Sequence, residues 1–127
     1  MRVSTFSAAI VPLVLGLGSA AHAECSGGLG RGWASGKGNG QYEMRAGDPS
    51  CVIEYPAFFD NAGGNRTPAT ELALTRAPAA GKIGVSPQGI VYMPAAGFAG
   101  QDRFCIRNTT PQVRGKTLSG CVTVTVR

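Results

Sequence analysis

The chain has 127 residues, a length that suits one domain. It carries 12 Lys+Arg against 7 Asp+Glu, for a net charge of +5, yet no run of basic residues of the kind that marks a nucleic-acid patch. Its one histidine, His22, falls in the N-terminal leader described next, so the remainder has no imidazole. That removes the usual general base, the usual triad partner and the commonest metal ligand.

The N-terminus reads as a secretory signal over residues 1–23. Arg2 supplies the positive end, an apolar stretch follows over 8–17, and Ala21-His22-Ala23 matches the small-x-small pattern of a cleavage site. The apolar run falls short of the roughly 20 residues that cross a bilayer. Cys25 lies just beyond the cut, but the residue before it is Glu24, not the small residue that precedes a lipid-modified cysteine. The predicted product is an exported protein, periplasmic or extracellular, beginning at Glu24. It keeps every charged residue except Arg2, so its net charge is +4.

Residues 24–40 form a Gly-rich arm. Seven of the fifteen positions 26–40 are glycine, which makes ordering costly in entropy unless something pins the segment. Gly36-Lys37 is no phosphate loop, because Gly38 follows where Ser or Thr is needed and no glycine stands five residues before Gly36. Trp33 among these glycines is either a core residue or an exposed aromatic anchor. Phe58 and Phe59 pose the same choice. Arg31, Trp33, Phe58 and Phe59 make up the candidate interaction surface, on the arm and on the loop 58–66.

From residue 41 to 127, short β-like runs alternate with turn signals about every ten residues, which suggests a sandwich or barrel. Strands are predicted at 41–45, 51–56, 71–76, 82–85, 90–93, 103–107 and 118–126. Between them stand Gly47-Asp48-Pro49, Asn61-Ala62-Gly63-Gly64-Asn65, Pro87-Gln88-Gly89 and similar breakers.

Cys25, Cys51, Cys105 and Cys121 form an even set in a small exported chain, which points to two disulfides. Their spacings of 26, 54 and 16 do not suit a zinc site, which wants close pairs. Val122, Val124 and Val126 alternate with Cys121, Thr123 and Thr125, so the cysteine shares the outer face. Phe104 and Ile106 alternate with Arg103, Cys105 and Arg107 in the same way. Two outward cysteines on adjacent antiparallel strands lie within bridging distance. The predicted pairs are therefore Cys105–Cys121 and Cys25–Cys51. The rival, Cys51 to Cys105 through the core, would turn Phe104 and Ile106 to water.

The segment Tyr92-Met93-Pro94-Ala95-Ala96-Gly97-Phe98-Ala99-Gly100-Gln101-Asp102-Arg103-Phe104 resembles the Y-x-P-x-x-G-F-x-G-x-D-x-F signature of bacterial immunoglobulin-like and cadherin-like repeat domains. Pro78-Ala79-Ala80-Gly81-Lys82-Ile83 is similar to that family's P-x-x-G-x-V turn and strand, and 122–126 to its closing V-T-V-T-V. The resemblance implies an all-β, immunoglobulin-like Greek-key sandwich of about seven strands. It implies a spacer, adhesion or accessory binding role, not catalysis. Physically, Pro94 ends a strand, Gly97 and Gly100 let the chain cross where a Cβ would clash, Phe98 and Phe104 fill the core, and Asp102 accepts N–H bonds at the bend. Asp102 has no acidic neighbour in sequence with which to hold calcium.

The functional expectation is a non-catalytic exported binding or structural module of the bacterial envelope or exterior, with no cofactor or metal. Its partner would be a protein or an envelope polymer. A basic binder of anionic envelope polymers is one alternative. A small hydrolase drawing on a carboxylate pair among Glu43, Asp48, Glu54, Asp60 and Glu71 is another, though no spacing favours any pair.

Overall fold

Ten strands are found among the described residues: β1 (Ser26–Gly28), β2 (Gly38–Met44), β3 (Cys51–Ile53), β4 (Ala57–Phe59), β5 (Arg66–Pro68), β6 (Glu71–Arg76), β7 (Gly81–Ser86), β8 (Gly89–Pro94), β9 (Gly100–Thr109) and β10 (Leu118–Val126). One 3-10 turn, Trp33–Ser35, joins β1 to β2. The computed structural model describes residues 25–60 and 64–127, so the predicted signal segment 1–23 and positions 61–63 of the predicted break lie outside the described residues.

Each of the seven predicted strands is present, and three short ones, β1, β4 and β5, are additional. They assemble as a five-stranded sheet ordered β1-β2-β10-β9-β6, a three-stranded sheet β3-β8-β7, and the two-stranded ribbon β4-β5. All neighbours are antiparallel except β2 and β10. That pair runs parallel through seven residue pairs, from Gly38 opposite Gly120 to Met44 opposite Val126.

The alternation read in the sequence is the alternation of burial. β10 buries Leu118, Val122, Val124 and Val126, while β9 buries Asp102, Phe104, Ile106 and Asn108 and leaves Arg103 and Arg107 exposed. From the second sheet, Cys51, Ile53, Ile90 and Tyr92 meet them in one core, which makes the fold a β-sandwich. Tyr92 and Phe104 stack with ring centres 6.2 Å apart. Asn108 donates to the carbonyl of Ala69 at 2.9 Å, tying the bend before β6 to the buried side of β9.

Both disulfides pair as predicted. Cys105 faces Cys121 directly across β9 and β10, and Cys25 joins Cys51, which is wholly buried on β3. The second bridge fastens Cys25, just ahead of β1, to the three-stranded sheet.

The arm is integrated into the sandwich. β1 pairs with β2, and β2 begins at Gly38, inside the stretch assigned to the arm. Trp33 is buried, and its Nε1–H donates to the carbonyl of Leu29 at 2.7 Å. Room for the ring comes from glycine. A Cβ on Gly38 would sit 2.2 Å from the indole, and one on Gly120 would sit 2.3 Å from the Gly38 Cα.

Two expectations about the signature segment change. Gly97 and Gly100 adopt φ of +80° and +133°, and a Cβ on Gly97 would meet nothing within 4 Å; the requirement there is conformational and not steric. Asp102 does not serve its own bend alone. Its carboxylate accepts from the backbone N–H groups of Ala79 and Ala80 at 2.8 and 2.9 Å, from that of Arg103 at 3.0 Å, and from the Tyr92 hydroxyl at 2.7 Å. It thus pins the turn before β7 to β9 and β8.

Candidate functional site

The arm and the β4-β5 ribbon meet at the end of the sandwich where β3 stops and β10 starts. Between them lies a cleft of about 320 Å³. The arm contributes Leu29, Arg31 and Trp33, the chain after β3 contributes Glu54 and Tyr55, and the ribbon contributes Phe59 and Arg66. Three of the four residues proposed from sequence as an interaction surface, Arg31, Trp33 and Phe59, therefore line one concavity. Phe58 turns aside: it is half-buried against the core and borders a second depression beyond Phe59, with Lys116 and Thr117.

The roles of the aromatic residues divide. Trp33, 7 % exposed, is floor, whereas Phe59, 69 % exposed, is a free-standing wall between the two depressions. A phenyl ring left this open forfeits about 1.5–3 kcal/mol of burial, which makes it the outstanding apolar contact point of this end. The floor is rigid. Tyr55 is buried and donates its hydroxyl to the carbonyl of Ser86 at 2.8 Å, and Trp33 is fixed by Leu29.

Charge sits at the rim. Arg66 donates to the carbonyl of Tyr55 at 3.1 Å and lies 3.7 Å from the Glu54 carboxylate. Both side chains are well exposed, so the pair contributes little to stability but orients Arg66 along the cleft. Arg31 is exposed, and no ion pair to it occurs among the described residues. Tyr42, a core residue of β2 outside the cleft lining, is held above its ordinary titration range, first by burial and then by the Glu54 charge.

The remaining residues proposed from sequence sit elsewhere. Tyr92, Asp102 and Phe104 are core, and Pro94, Gly97, Phe98 and Gly100 form the crossing from β8 to β9. Among the described residues, no three His, Cys, Asp or Glu side chains gather as metal ligands, and no helix is long and apolar enough to cross a membrane. Arg66, at the end of the loop 58–66 proposed from sequence, also lines the cleft, whereas sequence reasoning missed Tyr55 and Leu118. The inward-facing glycines Gly38 and Gly120 signalled the seating of Trp33, since glycine inside a strand marks the close approach of another group, but nothing in the sequence pattern signalled Tyr55. Comparison with protein-family models, with curated proteins and with solved structures finds no match for this chain.

Proposed function

We propose that this chain is the precursor of an exported, non-catalytic binding module of the bacterial envelope or exterior, immunoglobulin-like in topology, with the cleft beside Phe59 as its ligand site. The carrying observation is the exposed Phe59 ring standing over an aromatic-floored cleft with the exposed Arg31 at its rim. Interfaces concentrate binding energy in such aromatic and arginine anchors. Export is supported by the two disulfides, which persist in oxidising compartments, and by the leader sequence ending Ala21-His22-Ala23. The absence of histidine from 24–127 supports a binding role over a catalytic one.

The immunoglobulin-like reading is supported by strand order. In those domains strands B, E and D lie side by side in one sheet, and C, F and G in the other. Here β3, β8 and β7 are neighbours in that order, as are β6, β9 and β10. The signature residues Tyr92 and Asp102 join the turn before β7 to β9.

The test uses residues 24–127, immobilised and challenged with fractionated envelope proteins and glycans. Phe59→Ala and Arg31→Ala should each lower retention of a bound component about tenfold or more, with melting temperature unchanged. Retention equal to that of the unaltered protein in both variants would overturn the assignment of the cleft.

A further inference from the structure

We propose that the outer face of the five-stranded sheet is a second binding surface, for a linear acidic polysaccharide, held by Arg76, Arg103 and Arg107. Strand phase places the three guanidinium groups together. Phe104 and Ile106 point into the core, so Arg103, Cys105 and Arg107 point out. A register shift in β6 then sets Arg76 opposite Cys105, between the other two. At about 3.3 Å per strand residue, Arg103 and Arg107 stand roughly 13 Å apart along β9, with Arg76 to one side. The Cys105–Cys121 bridge lies midway and staples β9 to β10, so the spacing is held before any ligand arrives.

These charges are uncompensated. The ion pairs among the described residues are Arg66–Glu54 and Arg127–Glu43. The carboxylate nearest in sequence, Asp102, is buried on the opposite face and saturated with hydrogen bonds. Glu71, the remaining acid on this face, lies at the far end of β6 opposite Thr109. Every cation of the cluster is arginine, whose planar fork matches a carboxylate with two parallel hydrogen bonds.

The neighbours of the cluster select a sugar polymer. Thr123 lies opposite Arg103 and Ser119 opposite Arg107, and Gln101 and Gln41 extend the row of hydroxyl and amide groups. Two shallow depressions adjoin along β9 and β10. One, of about 210 Å³, is walled by Arg107, Ser119 and the disulfide; the other, of about 350 Å³, by Arg76, Arg103 and Thr123. Such a track suits a linear chain several sugar units long, whose carboxylates would meet the arginines at intervals along it. None of the residues facing outward from β1, β2, β10, β9 or β6 is aromatic, so single-stranded nucleic acid would find phosphate contacts but no ring to stack a base on.

The experiment measures binding of polygalacturonate to residues 24–127 at about physiological ionic strength, with dextran and single-stranded DNA as comparison probes. Polygalacturonate should bind, with dextran at background and DNA at least tenfold weaker. Replacing Arg76, Arg103 and Arg107 by Gln should weaken binding about threefold each and roughly thirtyfold together. A charge-matched control, Arg45→Gln with Lys82→Gln and Arg114→Gln, should change it less than about twofold, as should Phe59→Ala. Equal loss in both triple variants would reduce the effect to net charge and overturn the site. DNA binding as tight as polygalacturonate, or no polygalacturonate binding at all, would overturn the ligand class. Loss with Phe59→Ala alone would return the polymer to the cleft.

Discussion

Four hydrogen bonds converge on the carboxylate of Asp102, and one of their donors, the Tyr92 hydroxyl, is itself core. Phe104, two residues on, contributes differently: it is wholly buried and stacks on the Tyr92 ring. The two residues should therefore fail differently. Phe104→Ala should cost about 3–5 kcal/mol by cavity formation, and Asp102→Ala about 1–3 kcal/mol by stranding donors; denaturant midpoints measure both. Tyr92 adds a pH dependence. Burial first, and then the bond and charge of Asp102, hold its phenol above the ordinary value of 10.0 in the folded state. The unfolded chain loses that proton first, so the associated stability is complete below about pH 10 and falls as pH rises further. Tyr92→Phe should lower stability at pH 7 by about 1 kcal/mol and flatten the alkaline decline. An unchanged decline between pH 9.5 and 11 would assign it to Tyr42, which shifts in the same direction.

At the scale of strands, what was legible was what period two encodes. Cys121–Val126 and Arg103–Arg107 announced their faces, and the Cys105–Cys121 pairing was read from that phase, with Cys25–Cys51 as the pair that remained. β1, β4 and β5 were not legible, because three residues carry no period and glycine or proline lies within or beside each. Nor did any residue pattern announce that β2 lies parallel to β10, since pairing partners are a property of topology. The cleft was half legible for the same reason: Trp33 and Phe59 stood out by type and Arg66 fell in the proposed loop, whereas Tyr55, on the chain after β3, comes to it only through the tertiary fold. The arm's position rests on Gly38. Gly38→Ala should drive a methyl group into the indole, lower stability by about 1–3 kcal/mol, and shift Trp33 emission to longer wavelength. Unchanged emission and midpoint would show that the ring does not lie against that strand.

For the molecule as a whole, the predicted cleavage before Glu24 is checked by intact mass: exported material should lack residues 1–23, and a mass that retains them would refute the cut. The disulfides have a mechanical consequence for a protein tethered at both ends. Tension applied at Cys25 passes through sulfur to Cys51, so the 26-residue span between them, including all of β2, carries no load. The 16-residue span from Cys105 to Cys121 is bypassed likewise. Pulled from its ends, the oxidised domain should stretch to a total length of about 210 Å and the reduced domain to about 360 Å, at roughly 3.5 Å per residue. Single-molecule stretching with and without reductant reads that difference directly. Once the thiols are freed, force reaches β2 and β10 as parallel neighbours pulled in opposite directions, so seven residue pairs must shear at once and do not unzip in turn. Oxidised, the domain is a short tether that yields little length; reduced, it becomes a longer one that gives way only when that whole seam slides.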